Sequence, residues 1–385
     1  MTPPAPTTTL EAERQAEQLA FEASGAELAF GEPHDLPWPI DALAACAPGQ
    51  PPVVEQFDSG LTAQVFRLRS QQGDWTLKRA RPQALVKNID GQTSFLNEVQ
   101  RRIDLAALKQ RDPAGPARWA AIVDTRYASY RRGLILSPWI EGQPVTDWDE
   151  RRLAQILHTA CALWTEGFFE WDFCSGNILD DGRQLQLFDF GYMYRFDPRR
   201  HFNTAGFGTD VPLFHPAERF ETRNHSGHLL SLADARGEAA ALAAFRLEKT
   251  IALETYRWMR ATIAERGASA TVLAWLDGIV RRWDDALGGS AEALYWAEQW
   301  RSHVLDLDDD LRGHSCTPMT LRRADWLLHA LTHHADALLA QQALFWGDEH
   351  KSRDTLHDDY AAKRRLAEQR QLPHHSQHPQ PELTT

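Results

Sequence analysis

The stretch EWDFCSGNILDDGRQLQLFDFGYMY, residues 170 to 194, decides how the rest of the chain is interpreted. Asp172 is followed five positions later by Asn177, and twelve positions after that by Asp189, which opens an Asp-Phe-Gly tripeptide. The Asp181-Gly182 dipeptide between them is typical of a turn, so the segment is predicted to form a β-hairpin. A hairpin would bring Asn177 and Asp189 side by side.

These three polar residues suit the chemistry of a magnesium-bound phosphate. Asn and Asp supply the hard oxygen ligands that Mg²⁺ prefers, so Asn177 and Asp189 are candidate metal ligands. Asp172 is then free to accept a proton from a hydroxyl group. A strand pair with acidic ends is the alternative interpretation, because an Asp-Phe-Gly tripeptide also recurs by chance.

Upstream residues favour the phosphate interpretation. Residues 53 to 80 are predicted to form a three-stranded meander with turns at residues 59–60 and 71–74. Lys78 lies in the last of these strands, in the sequence WTLKRA, and is one of only six lysines beside 35 arginines. A strand would hold its ammonium group in place to reach phosphate oxygens.

A helix is predicted at residues 94–109, with Ser94 as its amino-terminal cap and an apolar stripe that begins at Phe95 and Val99. Glu98 lies at the edge of that stripe, where it could pair with Lys78 and orient it. Strands are further predicted in AAIVDTRY and GLILSPWI, which precede a long helical region.

The chain is long enough for two packed units, with 385 residues of which 43% are hydrophobic and 24% charged. We divide it into four parts. They are an amino-terminal extension (1–50), a β-rich nucleotide-binding lobe with one helix (51–142), a mostly helical lobe that contains the hairpin (143–348), and a charged helix with a disordered tail (349–385).

Composition excludes several classes of function. The net charge of −12 predicts no broad cationic surface for nucleic acid. No apolar run approaches the roughly 18 residues of a membrane span, and the first residues lack the pattern of a secretion signal. We therefore expect a cytoplasmic protein without a membrane span. The four cysteines show no CxxC spacing and are expected to be free thiols.

The order of glycine turn, strand Lys, helix Glu, Asp-x4-Asn and Asp-Phe-Gly resembles the protein-kinase-like superfamily, over residues 53 to 194. That group includes eukaryotic-type protein kinases and the aminoglycoside and choline phosphotransferases. The resemblance implies an α+β, bilobal protein-kinase-like fold that uses ATP and Mg²⁺. It further implies that Lys78 binds the donor phosphates, Glu98 pairs with Lys78, Asp172 is the catalytic base, and Asn177 and Asp189 hold magnesium.

The same resemblance implies where the nucleotide binds. The segment LSPWIEGQPV is similar to the hinge that receives adenine, with Ser137, Trp139 and Ile140 as the candidate contacts. Gly60, in FDSGLTAQVF, is the one glycine where the family's phosphate-binding loop has three. Backbone N–H groups near Gly60 are still expected to cradle phosphate.

Three residues of the opening stretch depart from the family pattern. Glu170 replaces a His that supports the Asp-Phe-Gly segment, and Trp171 replaces the Arg that many protein kinases use to bind a phosphorylated segment. Cys174 replaces a Lys or His near the transferred phosphate. We expect magnesium, together with a nearby Arg such as Arg79 or Arg81, to supply the missing positive charge, and weak turnover if they do not.

The predicted activity is phosphoryl transfer from ATP to a hydroxyl acceptor. Glu141-Gly142, Trp171 and the sequence SGNIL favour a small-molecule acceptor. A protein Ser/Thr acceptor is supported by a loose likeness of residues 208–209 and 216–218 to an activation segment. A nucleotide-binding or interaction module without turnover is the third alternative. The acidic run at residues 306–314 is predicted to be a solvated turn, and the fourteen tryptophans are expected to lie mostly in the core.

Overall fold

A six-stranded antiparallel sheet dominates the amino-terminal part of the chain. The structure, a computed structural model, describes residues 9–57, 60, 62–86, 88–111 and 113–372. The strands are β1 (Ala29–Phe30), β2 (Val53–Phe57), β3 (Ala63–Ser70), β4 (Gly73–Ala80), β5 (Tyr127–Ser129) and β6 (Leu134–Pro138). They lie in the order β1-β5-β6-β4-β3-β2, so the predicted meander of β2, β3 and β4 is confirmed. Its second turn is shorter than predicted, because only residues 71–72 separate β3 from β4.

Four helices accompany this sheet: α1 (Leu10–Ser24), α2 (Ile40–Ala44), α3 (Ile89–Gln110) and α4 (Gly115–Arg118). The predicted start of α3 was wrong. Asn88 caps the helix by accepting the Gly91 N–H at 2.7 Å, and Ser94 lies inside the helix. The first turn was hidden because it is packed through a glycine instead of an apolar side chain: a Cβ at Gly91 would lie 2.5 Å from that of Val86.

The two faces of the sheet are covered by different helices. Strand residues alternate between faces, so Leu77 and Lys78 of β4 point in opposite directions. Leu77 is fully buried in a cluster that also contains Leu43 of α2. Phe95 and Val99 of α3 pack on the other face with Ile135. Lys78 therefore faces α3.

The remainder of the chain is mainly helical. Its helices are α5 (Glu150–Thr165), α6 (Pro216–Phe220), α7 (Ser226–Arg236), α8 (Glu238–Glu265), α9 (Ala270–Gly288), α10 (Ala291–Gly313), α11 (Pro318–His333), α12 (Ala335–Ala340) and α13 (Arg353–Gln369). They share one apolar core in which Trp164, Trp283 and Trp300 are fully buried, as expected of the tryptophans. Leu356 and Tyr360 of α13 belong to this same core.

Five short strands lie between the sheet and the helices: β7 (Gln143–Pro144), β8 (Phe168–Glu170), β9 (Ile178–Asp180), β10 (Leu185–Leu187) and β11 (Met193–Arg195). The predicted hairpin is confirmed, since β9 and β10 are antiparallel and Ile178 pairs with Leu187. β8 pairs with β11, and one π-helical turn (Glu221–His225) joins α6 to α7.

The protein is thus an α+β protein built on an antiparallel sheet. None of the helices that the structure describes is long and apolar enough to cross a membrane. The four-part division of the chain stays a prediction, and the predicted disordered tail at its carboxyl end lies outside the described residues.

Candidate functional site

Lys78 joins three separate segments of the chain. Its Nζ donates to Glu98 Oε2 at 2.7 Å and to Asp189 Oδ2 at 2.9 Å. Lys78 and Glu98 are only 6% and 2% exposed, whereas the Asp189 side chain is 31% exposed. The structure therefore brings β4, α3 and the end of the hairpin together at one ammonium group.

The charges of this cluster reinforce one another. Burial alone would lower the pKa of Lys78, but the attraction of Asp189 and Glu98 is larger and raises it. Burial likewise opposes ionisation of Asp189, yet the charge and hydrogen bond of Lys78 lower its pKa, and the Gly191 N–H adds to this at 3.1 Å. Lys78 and Asp189 are consequently both charged at neutral pH.

Arg102 supports the far side of Glu98. Its Nη2 donates to Glu98 Oε1 at 2.9 Å, one helical turn away. The same guanidinium donates to Ser137 Oγ at 2.9 Å and to the carbonyl oxygen of Phe188 at 2.5 Å. Arg102 thus fixes Glu98 relative to both β6 and the hairpin.

The backbone after Asp189 is held by Asn97, a residue that the sequence analysis did not single out. Asn97 is 1% exposed, and its Nδ2 contacts the carbonyl oxygens of Phe190, Gly191 and Met193 at 3.3, 2.9 and 2.8 Å. Its neighbour Glu98 holds Lys78. Two consecutive residues of α3 therefore fix Lys78 and the Asp-Phe-Gly segment.

Asp172 and Asn177 are joined within the tight loop that precedes β9. Asn177 Nδ2 donates to the Asp172 carbonyl oxygen at 3.0 Å and to Asp172 Oδ2 at 3.2 Å. This uses the amide nitrogen and leaves the amide oxygen of Asn177 as a potential ligand.

The cation next to Asp172 is Arg223, which the sequence analysis missed. Its Nε donates to Asp172 Oδ1 at 3.1 Å, and its Nη1 contacts Asp306 and Asp310 of α10. Arg223 belongs to the π-helical turn between α6 and α7, and such turns re-aim side chains within helices. No local pattern in the sequence indicated this contact, because 51 positions separate the two residues.

The prediction that Arg79 supplies positive charge near the transferred phosphate was therefore wrong. Arg79 lies on the other face of the sheet, where its Nη1 donates to the carbonyl oxygens of Ala44 and Cys46. Arg81 donates to the carbonyl oxygen of Gly60 at 2.9 Å, beside the predicted phosphate loop.

The acidic run at residues 306–314 is not a turn. It forms the last turns of α10, and Asp306 and Asp310 are 6% and 8% exposed. Burial and repulsion from Asp306 raise the pKa of Asp310 to about 7. Arg323 pairs with Asp306 Oδ2 at 2.8 Å, whereas Arg223 contacts Oδ1 of the same carboxylate. The i, i+4 spacing of the two acids was the available signal that they share one helix face.

The candidate nucleotide contacts lie at the edge of β6 and before β3. Ser137 is buried, and its hydroxyl is taken by Arg102. The Trp139 N–H donates to the Asp74 carbonyl oxygen at 3.1 Å, and the Ile140 carbonyl oxygen accepts from the Gly142 N–H at 3.0 Å. A Cβ at Gly60 would lie 2.3 Å from the Ala63 carbonyl oxygen, so this close approach requires glycine. Residues 58, 59 and 61 of the same loop lie outside the described residues.

The three departures from the family pattern have distinct surroundings. Glu170 is 6% exposed and accepts the Asp172 N–H at 2.8 Å, and burial raises its pKa well above the usual carboxyl range. Trp171 Nε1 donates to Thr204 Oγ1 at 2.8 Å. Burial and the Asp172 charge raise the pKa of Cys174, so its thiol is neutral at neutral pH.

The donor set of the site fits magnesium better than a softer metal. Asn177 and Asp189 offer an amide oxygen and a carboxylate, which are hard ligands. In the described part of the chain there is no group of three or more His, Cys, Asp or Glu side chains arranged to hold a metal ion. Two protein ligands are nevertheless compatible with Mg²⁺, which is usually bound through one or two side chains plus substrate phosphates.

Comparison with known proteins adds no family to this geometry. The chain matches no protein-family model, and no curated protein shows significant similarity to it.

Proposed function

We propose that the protein is an ATP- and magnesium-dependent phosphotransferase with a bilobal protein-kinase-like fold. In this fold the sheet region is the small lobe and the helical region is the large lobe. The observation that carries the proposal is the contact of Lys78 with both Glu98 and Asp189. Asp172 and Asn177 are hydrogen-bonded to each other at the same, open end of that hairpin, where Ile178 pairs with Leu187.

Each side chain then has a role that its contacts support. The Lys78 ammonium neutralises donor phosphate oxygens, and Glu98 keeps it in place. Asp172 accepts the proton of the acceptor hydroxyl as that oxygen attacks the terminal phosphate. Arg223 and Asn177 hold the two carboxylate oxygens of Asp172 from different sides, which fixes its orientation.

Asn177 and Asp189 would hold the magnesium ion. When bound, Mg²⁺ neutralises phosphate charge in the transition state. The hydrogen bond from Lys78 and that from the Gly191 N–H hold the Asp189 carboxylate in position. The hydrogen bond from the Asn177 amide nitrogen to Asp172 orients the remaining amide oxygen.

A small-molecule hydroxyl is the favoured acceptor. Protein kinases that switch by phosphorylation use an Arg where this chain has Trp171, and the indole here makes a neutral hydrogen bond to Thr204. The segment after β11 is therefore held without a phosphate. A protein Ser/Thr acceptor remains the alternative that transfer experiments must decide.

A binding module without turnover is the second candidate function, and one observation favours it. Both carboxylate oxygens of Asp172 are engaged, since Arg223 binds Oδ1 and Asn177 binds Oδ2. If neither contact opens when an acceptor arrives, each oxygen of Asp172 has only one lone pair left to accept the proton of the hydroxyl.

The discriminating experiment compares magnesium-dependent ATP turnover by the purified protein with that of Asp172→Ala and Asp189→Ala. Asp358→Ala is a matched control, because Asp358 is an exposed acid on α13. We expect the two site variants to lose at least about 100-fold in rate and the control to keep the wild-type rate. Nucleotide binding without turnover would favour the binding module, and absence of binding would overturn both. Labelled-phosphate transfer to a cell lysate, separated into protein and small-molecule fractions, then identifies the acceptor class.

A further inference from the structure

A cavity of about 500 Å³ lies outside the site just described, between α1, α3 and residues 195 to 204. Its volume is within the range of about 300 to 1,000 Å³ that is usual for small-molecule sites. Neither Lys78, Asp172, Asn177 nor Asp189 lines it. The cavity is therefore a separate feature that phosphoryl transfer does not explain.

Three arginines line this cavity, and two of them keep a buried Nε without a hydrogen-bond partner among the described residues. Arg101 is 4% exposed and binds Asp104 at 3.0 Å, but its Nε makes no hydrogen bond there. Arg14 binds Asp90 at 2.9 Å, and its Nε likewise lacks a partner within the described part of the chain. Arg195 forms no ion pair with a residue that the structure describes, and its guanidinium lies 4.3 Å from the centre of the Phe168 ring. Burial lowers the pKa of Arg101 to about 10, and repulsion from Arg195 and Arg14 contributes.

Further unpaired polar groups accompany the arginines. His201 Nδ1, at the cavity wall, and the hydroxyl of Tyr194, whose ring packs 3.6 Å from the Arg14 guanidinium carbon, have no partner among the described residues. Buried polar groups in folded proteins are nearly always hydrogen-bonded. Several unpaired groups around one cavity indicate that it is shaped for a hydrogen-bonding ligand.

Acidic residues also line the cavity, but they do not neutralise its interior. Glu13 and Glu17 are exposed at the rim, on the outer turns of α1. Asp197 is already bound by Arg199, which donates to both of its carboxylate oxygens. None of these three acids is paired with Arg101, whose Nε has no partner among the described residues.

We propose that this cavity binds a small organic anion that carries a phosphate or carboxylate group. Guanidinium groups pair with both of these oxyanions through two parallel hydrogen bonds, which makes arginine the preferred side chain for such ligands. A single oxyanion would fill only part of the cavity, so the ligand also has an organic body.

The lining of the cavity connects this ligand to the proposed phosphotransferase site. Gln18 of α1 donates to Asn97 Oδ1 at 3.3 Å, and Asn97 holds the backbone after Asp189. Thr204, on the opposite wall, accepts from Trp171, the neighbour of Asp172. Resting on the proposed function, we infer that the bound anion is an activator, because it holds α1 against α3 and stabilises the arrangement in which Glu98 and Asp189 contact Lys78.

Binding is tested by calorimetry on the full chain without nucleotide, using glycerol 3-phosphate, citrate and, as the uncharged probe, glycerol. We expect saturable binding of glycerol 3-phosphate or citrate but not of glycerol, and the stronger of the two anions identifies the oxyanion. Arg195→Ala, an exposed site at which folding is not at risk, is expected to weaken binding about tenfold or more, and Arg101→Gln more strongly. Arg200→Ala is the matched control, since Arg200 is in the same segment but does not line the cavity, and it should stay within about twofold of the wild type.

The proposal is overturned if neither anion binds, if glycerol binds equally well, or if Arg195→Ala binds as the wild type does. A second arm measures ATP turnover with and without the bound anion. Anion binding without any ATP turnover in either condition would overturn the proposed function and leave the anion site standing. Turnover that the anion does not change would overturn the activator role alone.

Discussion

Lys78 and Asp172 are two charged groups of the same candidate site, and they are held in different ways. The partners of Lys78, Glu98 and Asp189, belong to segments whose patterns were visible in the sequence. Asp172 has one local partner in Asn177, but its ion-pair partner Arg223 comes from a π-helical turn in the helical region. The ion cluster of Lys78 can therefore be predicted from the pattern of one strand and one helix. The ion pair of Asp172 depends instead on how distant helices pack.

The largest effect is expected on the Lys78 side. Lys78→Met keeps the length of the side chain but leaves Glu98 with Arg102 alone and Asp189 without its cation. We expect ATP turnover to fall by at least about 1,000-fold and unfolding free energy by about 3 kcal/mol, because breaking a buried ion pair leaves an uncompensated charge. Steady-state kinetics and urea unfolding measure both, with the exposed Lys351→Met as control. Wild-type turnover in Lys78→Met would remove this residue from the site.

Arg223→Gln removes the cation that contacts Asp172, and its effect is expected to be the second largest. Three acids, Asp172, Asp306 and Asp310, lose a shared cation, although Arg323 still pairs with Asp306. We expect turnover to fall about 100-fold and unfolding free energy by about 2 kcal/mol, with Arg223→Lys intermediate for both. If Arg223→Gln is as active as the wild type, the ion pair with Asp172 has no part in the reaction.

Asn97→Leu tests the link between the lysine cluster and the Asp-Phe-Gly backbone. The substitution removes the amide that contacts the carbonyl oxygens of Phe190, Gly191 and Met193, at nearly constant volume. We expect a loss of about 2 kcal/mol in urea unfolding and about a tenfold loss of turnover. The control is Gln100→Leu, because Gln100 is an exposed residue of the same helix. An unchanged rate with reduced stability would limit Asn97 to a purely structural role.

The Asp310→Asn variant tests whether the raised pKa of this buried acid makes the stability of the protein depend on pH. The folded-state pKa of Asp310 is raised to about 7, so the folded protein holds this proton more tightly than the unfolded chain does. Its stabilising contribution is therefore complete below the ordinary carboxyl pKa and is lost as pH rises through about 7. As pH rises from about 5 to about 8, we expect the unfolding free energy of the variant to increase by at least about 1 kcal/mol relative to that of the wild type, measured by urea unfolding. A parallel pH dependence of the two proteins would contradict the assignment.

Cys174→Ser should have the smallest effect. Burial raises the pKa of the Cys174 thiol, which is therefore neutral, and the cation next to Asp172 is Arg223. We expect turnover to stay within about threefold of the wild type. A loss of about 100-fold would instead make Cys174 a participant in the reaction and weaken the role given to Arg223.

The hairpin and the orientation of Lys78 could be predicted, because each depends only on neighbouring residues in the chain. The hairpin followed from Asp181-Gly182, and the alternation of β4 placed Lys78 on the face toward α3. The start of α3 could not be predicted, because Gly91 packs where a periodic apolar side chain would have marked the helix.

Long-range polar contacts were beyond the sequence for a different reason. In the sequence, Asn97 is one of several polar residues on an amphipathic helix. Only the packing of α3 against β11 brings its amide to the backbone carbonyl oxygens. Arg223 reads as one of 35 arginines, and Asp306 and Asp310 as part of a solvated acidic run. Their pairing is set by the arrangement of α6, α7 and α10, which local periodicity does not encode.

The most direct test of the central claim is the effect of magnesium on ATP affinity, measured by calorimetric titration. We expect Mg²⁺ to strengthen ATP binding about tenfold or more in the wild type and in the control Asp358→Asn. In Asp189→Asn the magnesium effect should fall to less than about twofold, because the carboxylate ligand is lost. A wild-type protein that binds no ATP, or an Asp189→Asn variant that keeps the full magnesium effect, would contradict it.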